Sequence, residues 1–205
     1  DQIGTLWQIQ CRELDRTLPE WIPVFGGTEL LPAQISAVFN PLFILLLVPI
    51  FSRYLYPCLN KVTDLTPLKK MGIGFWLMVV AFALVSIIQE CLASGLKLHV
   101  YWQIIACFIL TASEVMVSIT CLEFAYTQAP KSMKSLVMAL FLLTVSLGNY
   151  LTSGVKFFLS DAAGESLLTV TEEFWFWTSL MALGATIYIF VSKYYKMKVR
   201  LQDAY

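Results

Sequence analysis

The stretch Ala112-Ser113-Glu114-Val115-Met116-Val117-Ser118-Ile119-Thr120-Cys121-Leu122-Glu123-Phe124-Ala125-Tyr126-Thr127-Gln128-Ala129-Pro130 decides the reading of this chain. It sets a carboxylate, Glu114, thirteen residues into an apolar run that begins at Tyr101. At 1.5 Å per residue, thirteen residues of helix reach about 20 Å, near the middle of a bilayer. A charged side chain at that depth costs from ~2.5 to more than ~10 kcal/mol. A chain carries such a cost for a group that binds an ion, a proton or a charged substrate, so the rest of the sequence reads as a scaffold for Glu114.

Composition supports the membrane. Of 205 residues, 58% are hydrophobic and 14% charged, where a soluble domain carries about 25%. Formal net charge is zero, and with no basic stripe outside short loops, nucleic acid is not an expected partner. The five cysteines stand far apart and His99 is the only histidine. Neither a metal nor a cofactor is therefore expected, and the cysteines read as small packed hydrophobes. No signal peptide opens the chain, and Asp1 reads as lying within a helix already begun.

Outward from Glu114, five segments are long and apolar enough to cross ~30 Å of hydrocarbon. They run from about Ala33 to Ser52, Met71 to Ile88, Tyr101 to Tyr126, Met133 to Phe158 and Phe174 to Tyr194. The first contains Asn40-Pro41 and Pro49, which bend it. Before it, residues 1–33 read as the tail of a helix, a polar turn at Cys11 to Arg16, and an interfacial stretch with Trp21, Ile22, Val24 and Phe25 at headgroup level.

Lysine and arginine set the orientation. Ten of the fourteen fall in the loops 53–70 and 127–134 and after residue 192; the other four are Arg12, Arg16, Lys97 and Lys156. The ten mark the cytoplasmic side, which puts the C-terminus inside. A partial opening helix running outward plus five spans makes six helices, half of a twelve-helix carrier built from two halves.

The motifs sharpen this. Ser113-Glu114-Val115, Leu122-Glu123-Phe124-Ala125-Tyr126-Thr127-Gln128-Ala129-Pro130 and Met133-Lys134-Ser135 resemble the tenth helix and following loop of the proton-dependent oligopeptide transporter family, within the major facilitator superfamily. Asp1-Gln2-Ile3-Gly4-Thr5-Leu6-Trp7 is similar to its seventh helix, Asn40-Pro41 with Pro49 to its eighth, Leu65 to Gly74 to its eight-to-nine loop, and Leu143-Thr144-Val145 with Gly148-Asn149 to its eleventh. The resemblance implies an all-α integral membrane fold: the C-terminal six-helix bundle of such a transporter, residues 1–205 covering helices seven to twelve with the first truncated. The partners implied are short peptides, protons, the lipid bilayer and the N-terminal half of the same transporter. The short connection Ser94 to His99 lacks the large extracellular domain of animal members, which points to a bacterial inner membrane.

The resemblance also assigns roles. Glu114 is expected to face the central cavity and pair with a peptide's amino terminus or with a lysine of the other half. Desolvation favours its neutral form and a nearby cation its carboxylate, so binding and protonation are coupled. The other reading of Glu114 is a protonated acid hydrogen-bonded between helices. Thr111 and Ser118 lie about one turn away on the same face, and Ser118 is counted with the binding residues. Asn40 either offers a donor and an acceptor to a peptide backbone or supports the kink at Pro41. Phe141 stands where the family often has a pocket tryptophan, and Ile3 where it has a second glutamine; both departures bear on substrate range. Asp1 matches the family's seventh-helix acid, which gates proton coupling. Glu123, at the cytoplasmic mouth, is expected to gate or to make a helix-end contact with Lys131 or Lys134. Lys156 is expected to snorkel to the outer interface, and Tyr188, Tyr194 and Tyr195 to belong to the aromatic belt.

The function this implies is proton-coupled symport of di- and tripeptides by alternating access. A carrier of nitrate or another organic anion would share the fold but would not need Glu114 to hold an ammonium group. A non-transporting sensor or assembly subunit is a further class. With no nucleophile–base pair and no phosphate-cradling loop, an enzyme is not expected.

Overall fold

The computed structural model describes residues 6–17, 27–62, 66–128, 133–159 and 167–194. A short helix α1 (Leu6–Glu13) precedes five long apolar helices. These are α2 (Pro32–Leu59), α3 (Pro67–Ala93), α4 (Tyr101–Thr127), α5 (Lys134–Phe158) and α6 (Val170–Tyr194). The chain is thus an all-α bundle of membrane-spanning helices. The interfacial segment with Trp21 to Phe25 and the opening residues through Thr5 lie outside the described residues.

Hydropathy located the helices, but local chemistry sets their ends. α3 begins four residues before Met71 and continues past Ile88. Thr66 caps it, its hydroxyl accepting from the Lys69 amide at 3.4 Å, and Pro67 fills the first helical position. At the other end Gly95 takes φ +84°, which lets the Gly95 amide reach Leu92 O at 2.9 Å and the Leu96 amide reach Cys91 O at 3.1 Å.

α2 also runs on beyond Ser52, and its bends are π turns at Ile35–Phe39 and Phe51–Leu55. Each π turn ends two residues before a proline, Pro41 and Pro57. A proline brings no N–H to the carbonyl four residues back, and widening the preceding turn relieves the ring's clash there. α4 holds a third π turn, Val115–Ile119, immediately after Glu114, and no proline accounts for it.

α3 is the centre of the bundle and packs against both α4 and α6. Its tightest crossing is at Gly74, whose carbonyl accepts from Ser113 Oγ at 2.7 Å. A Cβ on Gly74 would stand 2.6 Å from Val117 Cγ2 and 3.1 Å from Met116 Cβ. Without a hydrophobic drive between helices in lipid, such small-residue contacts and interhelical hydrogen bonds hold membrane bundles together. Farther along, Ser86 and Thr178 share a 2.8 Å hydrogen bond between α3 and α6.

α1 is tied in by buried amides. Gln10 Nε2 donates to Val85 O and to Gln89 Oε1, both at 3.0 Å, and Gln103 Nε2 donates to Trp7 O at 2.7 Å. Around this knot lies the main apolar core, with Trp7, Phe82, Val85, Leu110 and Phe174. Cys11 and Cys107 are packed hydrophobes as expected, whereas Cys58 is exposed.

A clasp closes the end of the bundle where α3 leads into α4. Asp15 exchanges backbone hydrogen bonds with Leu98 (3.0 Å) and Val100 (2.9 Å), and Leu30 donates to Arg16 O (3.1 Å). Two residues expected at the interface also tie helices together. The Lys156 ammonium pairs with Glu173 at 3.5 Å, joining α5 to α6, and Glu173 also accepts from Trp177 Nε1 at 3.3 Å. Tyr188 joins α6 to α3. Its hydroxyl donates to Leu68 O at 3.1 Å and its ring lies 4.8 Å from that of Phe75.

Two tests follow from this packing. Gly74→Ala is expected to destabilise the bundle by about 1–3 kcal/mol through overpacking, read as a lower Tm in detergent, with partial recovery on adding Val117→Ala. In the clasp, the Thr17 hydroxyl and amide donate to Asp15 Oδ1 at 2.7 and 3.1 Å and hold the Asp15 carboxyl below its ordinary value. A depressed acid stabilises the fold above its unfolded pKa of about 3.9 and loses that contribution as pH falls through the lower folded value. Hydrogen exchange at the Val100 amide is therefore expected to speed up below about pH 4. Thr17→Ala should remove most of that pH dependence.

Candidate functional site

The structure brings Glu114, Asn40 and Thr111 together. Thr111 is buried one turn before Glu114 on α4 and donates to Asn40 Oδ1 at 3.2 Å and to Cys107 O at 2.8 Å. The Asn40 side chain also hydrogen-bonds to the Glu114 carboxyl. With its carbonyl oxygen occupied by Thr111, Asn40 turns its amide N–H toward Glu114. Asn40 follows directly on the first π turn of α2, so the bend at Pro41 and the bond to Glu114 are two uses of one residue.

Glu114 is half-buried and lies on the wall of a cavity of about 390 Å³. Apolar side chains line most of it, among them Phe82, Leu110, Leu151, Trp177 and Met181, with Thr152 as a further polar group. Ser113 anchors the neighbouring face of α4 to Gly74, which fixes the rotation of the helix and hence the direction of Glu114. The π turn that follows adds a residue to the helical register, a feature often found at functional sites.

Ser118 lies within that π turn, is exposed, and is not among the residues that line the Glu114 cavity. Phe141 is half-buried on α5 but does not line the Glu114 cavity, to which α5 contributes Gly148, Leu151, Thr152 and Val155. Glu123 sits apart, exposed on the wall of a smaller cavity of about 170 Å³ shared with Ser52, Tyr56, Lys70 and Thr120. Lys70 Nζ lies 4.2 Å from the Tyr56 ring centroid, and Tyr56 hydrogen-bonds to Thr120. Of the two lysines expected beside Glu123, Lys134 lies over the Tyr126 ring at 5.8 Å and Lys131 is outside the described residues, as is Asp1. The cation that shares a cavity with Glu123 is thus Lys70. Among the described residues no group of three or more His, Cys, Asp or Glu could hold a metal ion.

Sequence reasoning passed over the Gln10–Gln89–Gln103 knot. Its signal was present: three amides in apolar helices must find partners, because hydrocarbon offers none.

A bundle of long apolar helices, with a carboxyl held by hydrogen bonds midway along one of them, defines an integral membrane protein. Its sequence places it further: the profile of the PTR2: POT family matches residues 1–175, and the chain belongs to that family. It is 34% identical over 202 residues to Protein NRT1/ PTR FAMILY 8.3 of Arabidopsis thaliana, covering 84% of this chain and 34% of the relative. It is 32% identical over 132 residues to Peptide transporter PTR2 of Saccharomyces cerevisiae, covering 58% of this chain and 22% of the relative. The crystal structure of the POT family transporter PepTSo superposes with a TM-score of 0.80 at 30% identity, covering 100% of this chain and 39% of that one. The chain therefore spans about a third of the Arabidopsis relative and two fifths of the solved transporter.

The Asn40 contact can be checked by infrared difference spectroscopy. The carbonyl stretch of protonated Glu114, assigned by its loss in Glu114→Gln, is expected to move to higher wavenumber in Asn40→Leu. An unmoved band would remove Asn40 from the site.

Proposed function

We propose that this chain is the C-terminal half, helices seven to twelve, of a proton-coupled symporter that imports di- and tripeptides by alternating access. The observation that carries the reading is the Glu114 carboxyl at the wall of a cavity midway along an apolar helix, held by Asn40, which Thr111 in turn braces, in a chain of the POT family.

As a carboxylate, Glu114 attracts the peptide's ammonium group, and the surrounding apolar walls strengthen that attraction because little water screens it. Asn40 holds the carboxyl in place and has an amide to offer a peptide carbonyl when the two part. Protonation of Glu114 removes its charge and with it the grip on the ammonium group, which couples proton entry to peptide release. Ser118 and Phe141 belong to the proposed substrate path outside the immediate cavity. Asp1 and Glu123 belong to proton coupling and gating, Glu123 alongside Lys70 and Tyr56. The N-terminal half supplies the opposite wall and the cation for the peptide carboxylate, since no Lys or Arg stands deep in the described spans.

A carrier of nitrate or another organic anion is the second reading, favoured by the double name of the Arabidopsis relative. The mid-span carboxyl weighs against it, because an anion gains nothing from that charge. For location we propose the plasma membrane, with the lysine-rich loops and the C-terminus in the cytoplasm. The bacterial inner membrane implied by the short 94–99 connection rests on that connection alone, and the relatives named above are from a plant and a yeast.

Two experiments test this. In liposomes, the full-length protein is expected to take up a labelled dipeptide only under an inward proton gradient, and Glu114→Gln should reduce uptake at least tenfold, equivalent to about 1.4 kcal/mol or more. Normal uptake by Glu114→Gln would take the site assignment away, and no uptake by the wild type would favour the anion carrier. For orientation, a membrane-impermeant maleimide should label exposed Cys58 from the cytoplasmic side only.

A further inference from the structure

The start of α6 uses two neighbouring carboxylates in different ways. Thr169 and Glu172 form a capping box: the Glu172 amide donates to Thr169 Oγ1 at 3.4 Å, and the Thr169 amide and hydroxyl both donate to Glu172 Oε2 at 2.8 Å. Glu173 stands about 100° farther round the helix. Its Oε1 accepts from Trp177 Nε1 at 3.3 Å, one turn on, and pairs with Lys156 Nζ at 3.5 Å. One carboxylate oxygen is thus held between an indole N–H on its own helix and an ammonium on α5. The Glu173 side chain is 12% exposed, and Trp177 is buried.

The indole that Glu173 holds lines the Glu114 cavity. A buried indole N–H needs an acceptor. Trp177 finds it in Glu173, so its ring adds apolar surface to the cavity and no free donor. Thr152, also in the lining, donates its hydroxyl to Gly148 O at 2.9 Å. Glu114 is therefore the one charged group in a described wall that is otherwise mostly apolar. The aromatic side chains set on that wall are Phe82 and Trp177, and not Phe141.

We propose that Trp177 reads the first side chain of the bound peptide, and that Glu173 is the positioning residue that sets its ring. This rests on the reading of Glu114 as the partner of the peptide's ammonium group. In a peptide, the ammonium group and the first side chain leave the same carbon. Anchoring the ammonium on Glu114 therefore brings the first side chain to the wall that Glu114 and Trp177 share, whatever residue follows. The second side chain leaves a carbon about 3.8 Å farther on. Burial against an apolar wall favours a large apolar side chain over a methyl group. The substrate class selected is thus peptides with a bulky apolar first residue. The hydrogen bond to Glu173 keeps the indole in one orientation, and Lys156 steadies the carboxylate that makes it.

The test compares Leu-Ala with Ala-Leu in liposomes that hold the full-length protein under an inward proton gradient. The two peptides share composition and charge, so their ratio of kcat/KM isolates the place of the larger side chain. The wild type is expected to favour Leu-Ala by about tenfold. Trp177→Ala should erase that preference. Glu173→Leu should erase it too, because the indole N–H loses its acceptor. Glu173→Gln should keep it, because an amide oxygen still accepts from Trp177 although the charge paired with Lys156 is gone. A preference that survives Glu173→Leu while Tm falls would make Glu173 a structural tie and overturn its positioning role. If Glu173→Leu does not fold, Trp177→Phe removes the same hydrogen bond from the other side and should lower the ratio. Equal kcat/KM for the two isomers in the wild type overturns the inference and leaves the peptide reading standing, and so does a preference that survives Trp177→Ala. Uptake of neither isomer overturns both.

Discussion

The hydrogen bond between Asn40 and Glu114, backed by Thr111, is the contact on which the site depends. An unpaired carboxyl between apolar helices carries a desolvation cost that no packing gain at one residue offsets. A partner from another helix lowers that cost and also fixes where the group points. The partner comes from α2, whose π turn ahead of Pro41 places Asn40 opposite α4. Glu114 in turn sits just before the proline-free π turn of α4, so a departure from regular helix adjoins each partner.

The bundle around this contact is held by polar links more than by apolar excess. In lipid the apolar faces have no strong preference for one another, so close backbone approach and interhelical hydrogen bonds set the geometry. Gly74 with Ser113 joins α3 to α4, Ser86 with Thr178 joins α3 to α6, and the glutamine knot joins α1 to α3 and α4. These links meet on α3, which makes it the rigid reference for α4 and thus for Glu114. α5 differs: among the described residues none of its side chains is buried, and Lys156 with Glu173 ties its far end to α6.

The surface of the bundle divides the charges by function. Cations gather where α3 begins, α4 ends and α6 ends, and there they meet aromatic rings: Lys70 over Tyr56 and Lys134 over Tyr126. Such contacts let an ammonium stay close to apolar surface at little cost. The opposite end instead uses backbone pairing, Asp15 with Leu98 and Val100, to close the bundle.

Much of the fold was legible in the sequence. Long apolar runs, the lysine distribution and the motif around Glu114 determined the helical class, the five spans and the family, because a bilayer leaves an apolar chain few alternatives. Mid-span Glu114 and the nearness of Thr111 could also be read, since one turn of helix needs no tertiary knowledge. The tertiary structure alone decided the rest. It left Ser118 exposed and outside the Glu114 cavity, gave Asn40 to Glu114, set Lys70 beside Glu123, and showed Lys156 and Tyr188 tying helices together. Sequence spacing assumes a regular helix and a single chain of neighbours, whereas these contacts depend on local register shifts and on which helices cross.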